Sequence, residues 1–190
     1  MKPIIDAIQK RRAYRAFDAK RPVPRETIEN LVKAAHLAPS CNNTQPWRFV
    51  AVTDAGALEK VKETLPKSNG WIRGAAAIIA VFSKRALDCM LSDNRDYFLF
   101  GCGMAVGNLM AQATEEDLIA HPVAGYDPEK VKAVLGIPAE YILITLVNVG
   151  YRGTDLGLLT DKQKALEQSP RDRKPIDEVL FWNSFPGVSG

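Results

Sequence analysis

Histidine and cysteine are scarce in this chain of 190 residues, which holds two of the first (His36, His121) and three of the second (Cys41, Cys89, Cys102). Two histidines cannot build a multi-histidine metal centre. Cysteines that are odd in number, widely spaced and without a C-x-x-C pair read as neither a disulfide framework nor a zinc site. The expectation is a protein without a metal. Long apolar runs are also missing. The longest, Ala75 to Phe82, is far short of the roughly 20 residues a bilayer helix needs, so no membrane partner is expected. Met1 to Arg12 carries charges where a secretory leader would be apolar, and a cytoplasmic location is the corresponding expectation. No sign of charge dominates: 25 Lys+Arg against 22 Asp+Glu leaves +3. That balance disfavours a nucleic-acid partner. With 46% hydrophobic residues the chain is not disordered. The length suits one domain over 1–190 with a sizeable core.

What is present divides into helix and strand signals without regular βαβ alternation, which predicts an α+β fold. Ile4, Ile5 and Ile8 open a short helix running into Lys10, Arg11 and Arg12. Pro24 begins a second, with Ile28, Leu31, Val32 and Ala35 at helical spacing and Pro39 beyond its end. Asp54 caps a third carrying Leu58, Val61 and Leu65, and Asn94 to Thr114 suits a long helix rich in small residues that reaches on toward Leu118. Asp127-Pro128-Glu129 starts another, stopped by Gly136. Strands are expected over Arg48–Thr53, Ala75–Phe82 and Tyr141–Gly150.

Four segments have the composition of sites, each with a plainer reading beside it. Lys10-Arg11-Arg12-Ala13-Tyr14-Arg15 packs four cations into six residues and can hold a phosphate through bidentate guanidinium bonds; equally it is a solvated helix end. Pro39-Ser40-Cys41-Asn42-Asn43-Thr44-Gln45-Pro46-Trp47 is a donor-rich loop between two prolines, suited to a polar planar ligand edge or simply to capping and turning. Within it Cys41 reads as a small polar filler rather than a nucleophile. Gly101-Cys102-Gly103-Met104-Ala105-Val106-Gly107 imitates a dinucleotide fingerprint but lacks the strand before it, so close helix packing, for example across a dimer, is the better reading. Arg171-Asp172-Arg173-Lys174 would present Arg171 and Arg173 on one side if extended; they meet the first cluster at one phosphate, or form an exposed basic turn.

In combination, Arg11-Arg12-Ala13-Tyr14-Arg15, the Pro39–Trp47 loop, His121-Pro122-Val123-Ala124-Gly125-Tyr126-Asp127 and Arg171-Asp172-Arg173-Lys174-Pro175 resemble the FMN-dependent nitroreductase family, in order and over essentially the whole chain. The resemblance implies a central, mostly antiparallel sheet flanked by helices, in a homodimer. It also implies a C-terminal arm, 176–190, exchanged with the partner, which would account for the apolar Val179 to Trp182. It implies that Arg11, Arg12, Arg15, Arg171 and Arg173 hold the FMN phosphate and ribityl chain, with Arg15 near the pyrimidine edge. By the same resemblance Pro39, Ser40, Cys41 and Asn43 lie against the partner's flavin, Pro122, Val123, Ala124 and Gly125 form the loop at flavin N5, and Asn69 is a further contact. The implied activity is ping-pong two-electron transfer from NADH or NADPH to a nitroaromatic, quinone or related small planar acceptor. The chemistry then takes place at flavin N5 and no side chain acts as a general acid or base.

The chain departs from the family's usual pattern in three places. Ala13 stands where Ser is common, removing a hydroxyl contact to the cofactor. Cys41 also stands where Ser is common, and a thiol is a weaker donor. Glu115, Glu116 and Asp117 occupy a place where the family often turns at a glycine. Two other functions compete with this reading: a Rossmann-type NADP-binding oxidoreductase built on Gly101–Gly107 without flavin, and a basic nucleic-acid-binding domain, whose mark would be steeply salt-dependent affinity.

Overall fold

The computed structural model describes residues 2–186. Its order is α1 (Asp6–Lys10), α2 (Arg25–His36), β1 (Arg48–Val52), α3 (Ala55–Glu63), β2 (Ala77–Ser83), α4 (Phe98–Glu115), β3 (Leu118–Val123), α5 (Pro128–Leu135), β4 (Ile142–Tyr151) and α6 (Asp161–Gln168). The four strands form one sheet in the order β1-β2-β4-β3, with every neighbouring pair antiparallel.

The sheet is covered on both faces, which explains why β2 is buried along its whole length. Because side chains alternate across a strand, Ala77, Ile79 and Val81 join the layer containing Ile28, Leu31 and Ala35 of α2 and Cys102, Ala105 and Leu109 of α4. Ile78, Ala80 and Phe82 join the opposite layer with Leu58 and Val61 of α3, Val131 of α5, and Trp71 and Ile72. The helices begin and end on ordinary chemistry. Asp54 and Asp127 accept backbone N–H bonds at the starts of α3 and α5, and Gly136 closes α5 at φ 65°.

Several expectations are corrected. The long helix starts at Phe98 rather than Asn94, because Asn94 sits in a left-handed turn at φ 58°. It does not continue to Leu118. Asp117 turns the chain at φ 56° and does the work a glycine would do there, after which β3 begins. That strand escaped notice because His121 and Pro122 break its apolar pattern. It lies at the sheet edge, where a proline lacking N–H is tolerated. Helix α6 was missed because it is polar, although Thr160 and Gln163 form a capping box at its start.

The Gly101–Gly107 string lies wholly inside α4 and the sheet has no parallel pair, so the strand–turn–helix setting of a Rossmann fingerprint is missing. Among the described residues no helix is long and apolar enough to cross a membrane.

Candidate functional site

The segment carrying the first arginines leaves α1 extended and is fastened to the far end of the chain. Phe17 bridges Arg152, Asp18 N–H donates to the Tyr151 carbonyl, and Gly153 N–H donates to the Ala16 carbonyl. Gly153 must be glycine here, since a Cβ would lie 2.6 Å from the Phe17 carbonyl oxygen. Glu167, on α6 and buried, accepts the backbone N–H groups of Arg15 at 2.9 Å and Ala16 at 3.2 Å, one on each carboxylate oxygen. Arg12 donates to the Ser169 carbonyl at 2.7 Å, and Arg171 donates to the carbonyl of Arg11. These bonds span more than 150 residues of sequence and place both basic segments together.

The convergence has an electrostatic consequence. Partial burial, then the neighbouring charges of Arg171, Arg173 and Arg12, lower the pKa of Arg11. Among the described residues none of Arg11, Arg12, Arg15, Arg171 and Arg173 makes a salt bridge with a carboxylate. Glu167 spends both oxygens on backbone amides, and Asp117 lines a cavity with Arg11 and Arg12 without making a salt bridge to either. Arg11 with its neighbours Arg12, Arg171 and Arg173 can hold an anion with several acceptor oxygens, while Arg15 shares His121 with Arg11 and faces Trp71.

Beside them lies a wall of aromatic rings. The Arg15 guanidinium stands 5.7 Å from the Trp71 ring centre, and Trp71 packs between Phe17 and His121. Arg152 stands 3.8 Å over Tyr14. Arg15, Trp71 and Arg152 line a cleft of about 390 Å³. The buried indole N–H of Trp71 has no partner. His121 Nδ1 lies 2.9 Å from the Tyr14 carbonyl, which can only accept, so that nitrogen carries the proton. Burial, then Arg15 and Arg11, push the imidazole down to about 4, so it is neutral at pH 7.

Asn69 Nδ2 donates to the Gly125 carbonyl at 2.6 Å, joining two residues 56 apart in sequence. Pro122 and Val123 end β3, and Ala124 and Gly125 are the exposed turn after it. Ala13 is exposed between the arginines.

The Pro39–Asn43 segment is placed differently. No hydrogen bond or ion pair among the described residues ties it to the arginines. It follows α2, makes a 3₁₀ turn over Cys41–Asn43, and is bonded to Cys89 through Cys41. This overturns the reading of the cysteines as unpaired and of Cys41 as a filler. The two are 48 residues apart in sequence with Cα atoms 6.1 Å apart, and linear spacing could not reveal that approach. One trio of potential metal ligands, Cys41, Asp88 and Cys89, is close together among the described residues, but its two sulfurs are bonded to each other. Cys102 is buried, its thiol pushed up to about 11 by desolvation, and chemically quiet.

Sequence reasoning missed Glu167, Trp71 and Arg152, and gave Tyr14 no role although it stands inside the basic motif. Only the Thr160–Gln163 capping box, which announces α6, offered a signal for any of them.

Comparison with known proteins shows the family. The chain is 26% identical over 213 residues to a Thermus thermophilus protein named NADH dehydrogenase, covering 95% of this chain and 97% of that one. It is 28% identical over 210 residues to the 5,6-dimethylbenzimidazole synthase of Rhodospirillum rubrum, covering 95% and 89%. A crystal structure of an oxidoreductase containing FMN superposes with a TM-score of 0.85 at 29% identity, over 98% of this chain and 94% of that one. A model of the Nitroreductase family matches residues 8–69 and 57–151, and the chain belongs to that family.

Proposed function

We propose that this chain is an FMN-dependent NAD(P)H oxidoreductase that reduces nitroaromatics, quinones or related planar acceptors by a ping-pong, two-electron mechanism. The observation that carries the reading is the convergence of Arg11, Arg12, Arg171 and Arg173, none of which makes a salt bridge among the described residues. A phosphate dianion supplies the missing charge, with charge-assisted bonds of about 1.5–3 kcal/mol each. When bound, the isoalloxazine supplies the hydride and electron chemistry, and the protein supplies binding, orientation and field.

The five arginines hold the phosphate and ribityl chain, and Arg15 reaches toward the ring's pyrimidine edge. Asn69 fixes the turn at Gly125, so that Pro122, Val123, Ala124 and Gly125 present backbone to the ring. His121 Nδ1–H donates to the Tyr14 carbonyl and the ring is neutral, so it supports the wall without moving a proton.

Pro39, Ser40, Cys41 and Asn43 serve the partner's flavin in a homodimer. Their separation from the arginines of their own chain supports this, as does the exposed face of α4, where Leu99 and Phe100 stand beside Gly103 and Gly107 with open space above both glycines. The whole chain is read as one domain, with 176–190 as an exchanged arm. Ile176, Val179, Leu180, Phe181, Trp182 and Phe185 are all exposed on their own subunit; residues 187–190 lie outside the described region. A cytoplasmic location suits a reductant that is a charged, membrane-impermeant nucleotide.

The test is the visible spectrum of the purified protein before and after NADH or NADPH is added without oxygen. Flavin bands that bleach are the expected result. A colourless protein that also fails to bind added FMN overturns the reading.

A further inference from the structure

We infer that Cys41 and Cys89 form a thiol–disulfide exchange site, reducible by a small dithiol or monothiol, whose oxidation state sets the shape of the 40–45 loop and with it the retention of FMN. The coupling to FMN rests on the reading above, in which this loop touches the flavin; the loop effect does not.

The loop is held in an unfavourable conformation. Asn42, Asn43 and Gln45 all have left-handed backbones, at φ 47°, 57° and 51°. Asparagine tolerates that region, but glutamine has no side-chain advantage there, and three such residues among four persist only where the surroundings impose them. Most of the loop's other hydrogen bonds are internal. Gln45 N–H donates to Ser40 Oγ, Gln45 Nε2 to the Asn43 carbonyl, and Asn43 N–H to the Ser40 carbonyl. Among the described residues two ties reach the segment after β2, the Cys41–Cys89 bond and the Thr44 hydroxyl donating to Asp88 at 2.7 Å in an exposed position, and Arg48 donates to the Gln45 carbonyl at the loop's other end. The covalent tie is the strongest of the restraints that hold the loop in this conformation. On the single chain both cysteines are partly exposed, unlike Cys102, and the point of attack is the Cys89 sulfur, because Cys41 faces the partner's flavin in the reading above. An accessible disulfide of this kind is the labile sort, and in a reducing compartment such bonds are transient and regulatory.

The exchange balances as follows. A thiolate attacks the Cys89 sulfur, the S–S bond breaks, and Cys41 leaves as a thiolate that takes a proton. A second thiol then attacks the mixed disulfide and frees Cys89. Overall two thiols are oxidised to one disulfide while Cys41 and Cys89 are each reduced to a thiol. The freed loop populates several conformations, and affinity falls by the fraction still competent to bind.

The experiment treats the FMN-loaded full-length protein with dithiothreitol, or leaves it untreated, and reads three quantities. Alkylation with mass mapping should label Cys41 and Cys89 only after reduction, with Cys102 unlabelled in both states. Amide exchange over residues 40–45 should quicken by about tenfold or more. The FMN Kd should weaken by about tenfold and recover on reoxidation. Cys89→Ser should match the reduced state with or without dithiothreitol. Failure of dithiothreitol to open the bond in folded protein, or unchanged exchange over 40–45, overturns the switch. Faster exchange with an unchanged Kd overturns the coupling to FMN. Absence of FMN binding in both states refutes the flavin reading, and the exchange result still decides the loop.

Discussion

The arginine cluster and the 39–45 loop are both candidate ligand surfaces, yet they are held by opposite means. The cluster is assembled from both ends of one chain by many weak bonds. Glu167 grips two backbone amides, Arg12 and Arg171 grip carbonyls, and 16–18 pairs with 151–153. The loop is tied to the segment after β2 by one covalent bond to Cys89 and one exposed hydrogen bond from Thr44 to Asp88. A surface held by many bonds resists the loss of any one of them. A surface whose strongest tie is one covalent bond is sensitive to that bond's chemistry. The difference suits the cluster to constant binding and the loop to control.

The strongest way to break this comparison is to remove charge from the cluster. Arg11→Ala combined with Arg173→Ala should remove roughly 3–6 kcal/mol of phosphate binding, at least about a hundredfold in FMN Kd, with an unchanged circular dichroism spectrum. Fluorescence titration reads the affinity. An unchanged Kd would place the phosphate elsewhere.

The next test reads the burial of His121, to which Arg15 and Arg11 add. Its folded pKa of about 4 lies below the ordinary 6.5, so its contribution to stability is complete above pH 6.5 and is lost as pH falls through 4. The loss amounts to roughly 3 kcal/mol. Urea unfolding of wild type and His121→Gln at pH 7 and pH 4.5 measures it, and the variant should lack that part of the pH slope.

The smallest expected effect tests whether Glu167 shapes the cluster or merely neighbours it. Glu167→Gln keeps one carbonyl acceptor but turns an NH₂ donor toward the other backbone N–H. The cost should be about 2 kcal/mol, or roughly 4–8 °C in Tm. FMN affinity should fall less than in the arginine pair, while amide exchange over 40–45 should not change. A stability loss with no change in FMN affinity would make Glu167 a structural residue only.

Much of the fold was legible in the sequence because its cues are local. Asp54, Asp127 and Gly136 bound their helices as read, and the continuous apolar run of β2 announced a strand buried on both faces. Strand β3 was hidden by Pro122, which only an edge position permits, and α6 by its polarity, since its one buried residue is a glutamate. For the site, Arg11, Arg12, Arg15, Arg171 and Arg173 stood out as charge density, and Asn69 and Gly125 do meet. Trp71 gave no cue and Glu167 only the capping box of its helix, because a buried tryptophan or a lone helical glutamate looks like any other until its neighbours are known.

The sequence by itself determined five of the six helices in outline, the caps at Asp54, Asp127 and Gly136, that cations crowd two short stretches, and which family the motifs resemble. These follow from interactions within a few residues or from ordered motifs. Tertiary structure alone decided that the two basic stretches meet without a counter-ion, that His121 is neutral beside them, and that Cys41 finds Cys89 across 48 residues. Each of those outcomes depends on through-space distance and burial, which chain order does not encode until the sheet and its two helical layers have brought distant residues together.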